Sequence, residues 1–310
     1  MNYEFQEISY PSSDGIHTIH AEIYFPKEKS PAGVVQIAHG MVDYVERYKP
    51  LADFLTGEGY VVAGNDHLGH GKSVSSPSEF GYFAKKGGVD FIISDLYEMN
   101  KYLRNTYKNL PVFLLGHSMG SFIARLYAVR HPHTISGLII HGTAGPNPVL
   151  PLGKALAAAT SLLCGEYHRS RLLKSLSTGA YNKRFPRAEG VNAWLTRKTE
   201  AVIDKDKDER GGFSFTASGY RDLLRLLGKS NSKEWFKKYP KALRTLVVSG
   251  GADPVGAFGK GPSYVYKKLL ISGAEKVELK LYEGARHELF NETNSDEIFR
   301  DLLSWLGDRK

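Results

Sequence analysis

Short apolar runs alternate with longer amphipathic segments along most of the chain, and this alternation predicts the fold class. Runs with the length and composition of strands buried on both faces of a sheet occur at residues 34–38, 60–64, 111–115 and 136–141. Helical spacing is found between them at residues 48–57, 89–106 and 122–130. Strands that alternate with helices predict a mainly parallel sheet covered by helices on both faces.

The beginning and the middle of the chain depart from this alternation. Residues 3–10 and 17–25 are rich in strand-forming residues and flank a turn signal, so they predict an antiparallel hairpin. Residues 145–240 contain helical stretches but no convincing buried strand, and the mixed charge run 204–210 predicts a solvated loop or helix end.

The alternation returns near the end of the chain. Strands are predicted at residues 244–249 and 277–282, and helices at residues 263–271 and 295–306. We therefore predict a core domain formed by residues 1–144 and 241–310, with a helical cap inserted at residues 145–240.

Composition narrows the class of protein. The 310 residues are 42% hydrophobic and 24% charged, as expected for a globular protein with a sizeable core. The single cysteine, Cys164, excludes an intramolecular disulfide and a cysteine-based metal site. Residues 1–10 lack the pattern of a secretory signal, and the apolar stretch 149–164 is too short to cross a bilayer. The simplest prediction is a cytoplasmic protein.

The formal net charge of +8 raises the question of a nucleic-acid partner. The basic residues occur as scattered pairs at positions 85–86, 237–238 and 267–268, and they form no continuous stripe. We therefore predict no nucleic-acid partner. At most, a transient contact with an anionic membrane surface is expected, since no strongly basic amphipathic helix is found.

Candidate chemistry begins with the pentapeptide Gly116-His117-Ser118-Met119-Gly120, which fits the pattern Gly-x-Ser-x-Gly. In this pattern the serine lies on a strained turn and projects its hydroxyl above the sheet. The glycines are needed because a Cβ at either position would crowd the neighbouring strand and helix. A strand precedes this pentapeptide and a helix follows it, which favours Ser118 as a nucleophile.

A serine nucleophile needs a histidine base, and that histidine needs a carboxylate that orients it. In this architecture the acid and then the base follow the serine in the chain, each in the loop after a later strand. Asp253 follows the strand at 244–249, and His287 follows the strand at 277–282. Asp66 precedes the serine in the chain, so we expect it to hold its own loop.

Other histidines are alternative candidates for the base, and the glycine-rich loop after residue 64 is a candidate for phosphate binding. His67, His70 and His141 lie near strand ends, but none follows the last strand. The loop ends in Gly71-Lys72-Ser73, yet Asp66 stands where a phosphate-binding loop needs its first glycine, which excludes a nucleotide site.

Negative charge that develops on a substrate oxygen must meet backbone donors that are already in position. One donor should be the N–H of Met119, the residue after the nucleophile. The second should come from the turn after the strand at 34–38, where His39-Gly40-Met41 places Met41 as the predicted donor.

With these motifs in place, the sequence resembles the α/β-hydrolase superfamily, and within it the monoacylglycerol lipase and lysophospholipase group. The resemblance covers nearly the whole sheet domain, and the matching segments lie at residues 39–41, 66–73, 116–120, 252–255 and 287–292. It implies a serine esterase that needs no cofactor and has a lid that helps to bind an acyl chain. The chain departs from the family at Val42-Asp43-Tyr44, where Gly-Glu-His is usual, and at Ser121.

The main hypothesis is therefore hydrolysis of a small acyl ester through an acyl-enzyme. The apolar cap residues 150, 152, 156, 162 and 163, all leucine, could line an acyl channel or could simply pack the cap together. A short-chain or aryl esterase is an alternative. A peptidase or amidase would need an acidic cap residue such as Glu166 or Glu189 to receive an amine, and a non-catalytic binding protein is the most remote alternative.

Overall fold

The parallel sheet predicted from the alternation forms the centre of the molecule. The computed structural model describes residues 3–186 and 189–308, and it contains one eight-stranded sheet in the order β1-β2-β4-β3-β5-β6-β7-β8. The strands are β1 (Tyr3–Pro11), β2 (Thr18–Pro26), β3 (Gly33–Ala38), β4 (Tyr60–Asn65), β5 (Val112–His117), β6 (Gly137–His141), β7 (Arg244–Gly250) and β8 (Val277–Tyr282). The first two strands form the predicted antiparallel hairpin, and β3 to β8 run parallel.

Ten α-helices are found in the described part of the chain. They are α1 (Lys49–Gly57), α2 (Gly88–Thr106), α3 (Met119–Arg130), α4 (Leu150–Cys164), α5 (Arg171–Thr178), α6 (Thr199–Lys207), α7 (Ala217–Ser230), α8 (Lys233–Lys238), α9 (Lys260–Ile271) and α10 (Ser295–Gly307). The predicted helices of the sheet domain are confirmed, with ends that differ by a few residues.

Helices cover both faces of the sheet, because successive side chains of each buried strand point to opposite faces. On β5, Leu114 belongs to the core formed with α2, α3 and α9, whereas Phe113 and Leu115 belong to the core formed with α1 and α10. All six residues of β5 are buried. This explains why the strand is an uninterrupted apolar run and does not alternate.

Helices α4 to α8 lie between β6 and β7 in the chain, in the region predicted as a cap. Ala157 of α4 and Leu226 of α7 are completely buried in the same apolar cluster as α3. Leu152, Leu162 and Leu163 are largely exposed, so in this conformation they pack against little. The exact limits of the cap at residues 145 and 240 stay a prediction.

One residue of this region departs from the expectation. The first half of the charge run 204–210 forms the end of α6, and most of the run is exposed, as a solvated helix end should be. Lys205, however, is only 7% exposed. Its ammonium points at the core domain and donates a hydrogen bond to the backbone carbonyl of Val42, which offers a buried lysine a partner.

Candidate active site

Ser118 lies at the sharp turn between β5 and α3, as the pentapeptide predicts. Its backbone has φ 53° and ψ −118°, a combination that residues other than glycine rarely adopt. A Cβ on Gly116 would lie 2.4 Å from the Gly120 carbonyl oxygen, and a Cβ on Gly120 would lie 1.9 Å from the Ala38 carbonyl oxygen. The two glycines are therefore required by close approach of the backbone, since neither position has room for a side chain.

The predicted acid and base meet at the carboxyl ends of the last two strands. The His287 Nδ1 atom lies 2.9 Å from the Asp253 Oδ2 atom, and both residues are buried. Asp253 also accepts hydrogen bonds from the Val255 N–H at 2.8 Å and from the Ser249 hydroxyl at 3.3 Å. The carboxylate is thus held on two sides, which orients it toward the imidazole.

The charge of Asp253 decides the proton affinity of His287. Burial alone would lower the pKa of the imidazole, because a cation is poorly solvated in the interior. The Asp253 carboxylate, with smaller contributions from Glu288 and Asp43, outweighs this effect, and the pKa of His287 is raised above its ordinary value. A histidine in this setting is well suited to accept a proton from a serine hydroxyl.

Ser118 directly follows a residue that contacts His287, although within the described residues the structure records no hydrogen bond between Ser118 and His287. The ring of His117, the residue before the serine, lies 4.8 Å from the ring of His287, measured between centroids. The Ser118 N–H donates to the His141 carbonyl oxygen at 2.9 Å. Nucleophile–base hydrogen bonds are often long without substrate and tighten during the reaction, so this geometry is compatible with a triad.

The two predicted oxyanion donors lie beside the serine. Met119 is the first residue of α3, so its N–H is one of those left without a partner inside the helix. The turn with Met41 is against the nucleophile, since a Cβ on Gly40 would lie 3.3 Å from the Ser118 Cβ. That Met41 and Met119 serve as donors stays a prediction, as does the catalytic role of Ser118, Asp253 and His287.

A buried network of charges lies next to the triad. The Arg47 guanidinium donates to both Glu288 carboxylate oxygens, at 3.0 and 2.9 Å, and to Asp43 at 2.9 Å. The Tyr48 hydroxyl lies 2.9 Å from Asp43 and 2.9 Å from the His117 Nδ1 atom. Sequence reasoning assigned no role to this network, although Glu288 directly follows His287.

The pKa values of the two acids in this network are lowered mainly by the Arg47 guanidinium that lies between them. Burial would raise the pKa of Asp43, but Arg47, together with His117, Lys205 and His39, outweighs burial and lowers that pKa well below its usual range. The pKa of Glu288 is lowered for the same reason. Both carboxylates are therefore charged at neutral pH, and they hold the Arg47 side chain between the turn after β3 and the loop that carries His287.

The other candidates from the sequence have structural roles. Asp66 accepts the N–H of Val45 and the N–H of Lys72, both at 2.8 Å, so it holds two loops as expected. The rings of His39, His67 and His70 pack together in the interior, and the His39 Nε2 atom accepts the N–H of His67. His141 is packed against His117.

Parts of the cap region cover the base from above. The Trp194 ring lies 5.2 Å from the His287 ring, and the Leu195 carbonyl accepts the N–H of Glu288 at 2.7 Å.

The two acids considered as amine receptors are already paired. Glu166 is 3.1 Å from the Arg221 guanidinium, and Glu189 is 2.7 Å from that of Arg286.

One group of side chains in the described part of the chain could hold a cation. Glu7, His20 and Glu22 on the β1–β2 hairpin bring their ligand atoms together. The Lys72 ammonium pairs with Glu7 and lies 3.6 Å from Glu22, so these carboxylates already have a counterion. The group contributes nothing to the triad.

The family to which the chain belongs follows from comparison with known proteins. The family model described as serine aminopeptidase, S33 matches residues 29–294. The chain belongs to this family. It is 26% identical over 317 residues to a monoacylglycerol lipase of Mycolicibacterium smegmatis, covering 97% of this chain and 96% of that protein. It is 27% identical over 318 residues to human monoglyceride lipase, covering 97% and 93%.

A solved structure agrees with these relatives. The carboxyl esterase of Bacillus coagulans, determined in complex with glycerol, superimposes with a TM-score of 0.90 at 30% identity and covers 97% of both chains. These likenesses confirm the α/β-hydrolase fold and the prediction of a serine hydrolase of the monoacylglycerol lipase type. Among the described residues, this serine hydrolase has no helix with the length and hydropathy that a bilayer crossing requires.

Proposed function

We propose that this serine hydrolase cleaves acyl esters such as monoacylglycerols or lysophospholipids through an acyl-enzyme. Ser118 attacks the ester carbonyl, His287 takes the hydroxyl proton and passes it to the leaving alcohol, and Asp253 orients His287. The oxyanion is met by the N–H groups of Met41 and Met119. Water then attacks the acyl-enzyme by the same route and releases the acid.

The observation that carries this proposal is the pairing of His287 with Asp253 at 2.9 Å beside a serine held on a strained turn. Three separate loops bring these residues to one edge of the sheet, where α/β folds bind their ligands. The named activity of the relatives supports an ester as the substrate.

A peptidase of the same fold is favoured less, although the family is described by an aminopeptidase. Receiving a substrate amine would require a free carboxylate, whereas Glu166 and Glu189 each form an ion pair with an arginine. Removing either acid from its arginine would leave a charge without its partner, which is costly in a half-buried setting.

Exposed apolar side chains on the cap region support the proposal that the substrate is a lipid in a membrane or micelle. The aliphatic residues that are more than half exposed in the described part of this region are Val149, Leu152, Leu162, Leu163, Leu172, Leu176 and Val191. Such a surface favours transient contact with a membrane or a micelle, where monoacyl lipids reside. A cytoplasmic location stays part of the proposal, and the exposed free thiol of Cys164 is compatible with a reducing compartment.

The test is hydrolysis of p-nitrophenyl esters from acetate to palmitate by the wild type and by Ser118→Ala. Loss of the nucleophile should lower turnover by about 10⁴-fold or more. A maximum at medium or long chains supports the lipid substrate, whereas a maximum at acetate favours a short-chain esterase. Activity that survives in Ser118→Ala contradicts the assignment of the nucleophile, and the absence of fluorophosphonate labelling in the wild type contradicts an activated serine.

A further inference from the structure

The turn that carries the second oxyanion donor is strained. Val42, the residue after Met41, has φ 53°, a left-handed conformation that a β-branched residue avoids. Such a conformation costs on the order of 1–3 kcal/mol and persists only where surrounding contacts hold it. The contacts that hold Val42 therefore also determine where the N–H of Met41 points.

Two of these contacts come from the core domain. The Asp43 carboxylate accepts the N–H of Gly40 at 3.2 Å, which closes the turn from inside. The Asp66 carboxylate accepts the N–H of Val45 at 2.8 Å, which holds the segment that leaves the turn. Neither carboxylate can form a hydrogen bond with the Val42 carbonyl, because an ionised carboxylate has no proton to donate.

The contact with that carbonyl comes from the cap region. Lys205 of α6 donates its ammonium to the Val42 carbonyl oxygen and is almost completely buried in doing so. This carbonyl lies in the peptide plane between Val42 and Asp43, so a donor placed on it restrains ψ of Val42 and helps to hold that residue in its left-handed conformation. The shape of the turn that includes Met41 depends on this conformation of Val42. A charge-assisted hydrogen bond of this kind is about twice as strong as a neutral one.

Further contacts join the same two segments. The Tyr44 hydroxyl donates to Asp208 at 2.7 Å, and Arg210 donates to Glu46 at 2.9 Å. The Arg210 guanidinium also lies 4.0 Å above the Tyr44 ring. Residues 205–210 thus touch the segment 42–46 at several points, and the charged run is a contact surface.

We propose that Lys205 is a positioning residue for ester hydrolysis, and that Lys205, Asp208 and Arg210 of the cap hold the oxyanion turn in its active shape. The proposal rests on the proposed function, because it assigns the turn to oxyanion binding. It makes catalysis depend on the cap in a second way besides substrate binding. A cap that moves away from residues 42–46 would release the Val42 carbonyl and lower the rate of the chemical step.

The charge of Lys205 gives the proposal a signature in the pH profile. Burial is the main cause that lowers the pKa of Lys205, and it brings that pKa to about 8. Above this pH the amine is neutral and its hydrogen bond to Val42 is weaker. The charged or titratable groups that face it from the neighbouring segments are Arg47, Asp43, Glu288, Asp208 and His39.

The experiment compares Lys205→Met with Lys207→Met, which removes an exposed lysine from the same helix. Loss of an entire oxyanion donor costs about 10²- to 10³-fold in rate, so a displaced donor should cost about tenfold in kcat. We expect this loss in Lys205→Met, with KM changed by less than about twofold and fluorophosphonate labelling slowed by the same factor as kcat. Lys207→Met should match the wild type.

The pH profile adds a readout that a purely structural lysine would not change. The wild-type kcat should fall above about pH 8, and this fall should be absent in Lys205→Met. Methionine fills a similar volume and leaves no buried charge, so the variant should fold. If it does not fold, Tyr44→Phe removes the hydroxyl that bonds to Asp208 and Arg210 and should lower kcat by a smaller factor.

Several results would overturn the proposal. A wild-type kcat in Lys205→Met, or a change in KM alone, would show that the lysine does not position the turn. A wild-type profile that stays flat above pH 8 would do the same. A different result would contradict the proposed function itself: a wild type that neither hydrolyses the esters nor reacts with the fluorophosphonate. Equal labelling rates in the wild type and Lys205→Met would contradict only the positioning role of Lys205.

Discussion

Replacing Arg47 by methionine would remove the only cation that contacts both Asp43 and Glu288 within the described residues at hydrogen-bond distance. The two carboxylate side chains are 5% and 8% exposed. Breaking a buried ion pair by removing one partner costs about 3–5 kcal/mol, because the remaining charge has neither water nor a counterion. With two acids left behind, we expect Arg47→Met to lose at least that much free energy of unfolding at pH 7.

The same variant should respond to pH differently from the wild type. Carboxyl groups whose pKa is lowered on folding add stability above their unfolded pKa, and this stability is lost as the pH falls toward the lowered value. The wild type should therefore lose stability below about pH 4, where the unfolded chain binds protons that folded Asp43 and Glu288 do not. Without Arg47 those two carboxyls lose the main charge that lowers their pKa, so the difference between the proteins should narrow in acid.

Urea unfolding of both proteins at pH 7 and at about pH 3, below the unfolded carboxyl pKa, measures both effects. Lys238→Met is a suitable control, because Lys238 forms an ion pair with Glu234 in which both side chains are more than half exposed. That variant should unfold like the wild type. The reasoning is refuted if Arg47→Met costs less than about 1 kcal/mol at pH 7, or if its deficit is the same at both pH values.

Two further predictions concern the triad and the nucleophile turn. Asp253→Asn should lower kcat by about 10⁴-fold. In the wild type, kcat/KM should fall on the acid side as His287 is protonated, and this fall should move to lower pH in the variant because the raised pKa of His287 depends on Asp253. An acid-side fall at an unchanged pH would contradict this cause. Gly120→Ala places a Cβ 1.9 Å from the Ala38 carbonyl oxygen and should lower both Tm and the rate of fluorophosphonate labelling. The control Gly57→Ala, whose Cβ meets no atom within 4 Å, should change neither quantity. Equal Tm values of the two variants would show that the turn has more room than its geometry implies.

Much of the fold can be predicted from the sequence because its signals are local. The apolar run of β5, the two glycines around Ser118 and the helix that follows are adjacent in the chain, and each constrains the next. Asp253 and His287 can be selected as candidates because chain order and strand ends limit where an acid and a base can stand. The structure brings these two residues together.

The role of Lys205 could not be predicted in the same way. Its neighbours in sequence are aspartates and lysines, which are typical of a solvated helix end. The residue is buried because a distant carbonyl, that of Val42, lies opposite the first half of the run. The one local signal is the spacing from Val202, which is also buried, since residues three apart share a face of a helix.

The position of the cap between β6 and β7 has a consequence for folding. These two strands are neighbours in the sheet, and Ile139 pairs with Leu246, although on the order of a hundred residues separate them. Closing a loop ten times longer than a short connection costs only about 2 kcal/mol of chain entropy. The sheet can therefore carry a large insertion at this point at little thermodynamic cost, but pairing of β7 must wait for a distant part of the chain and should be slow.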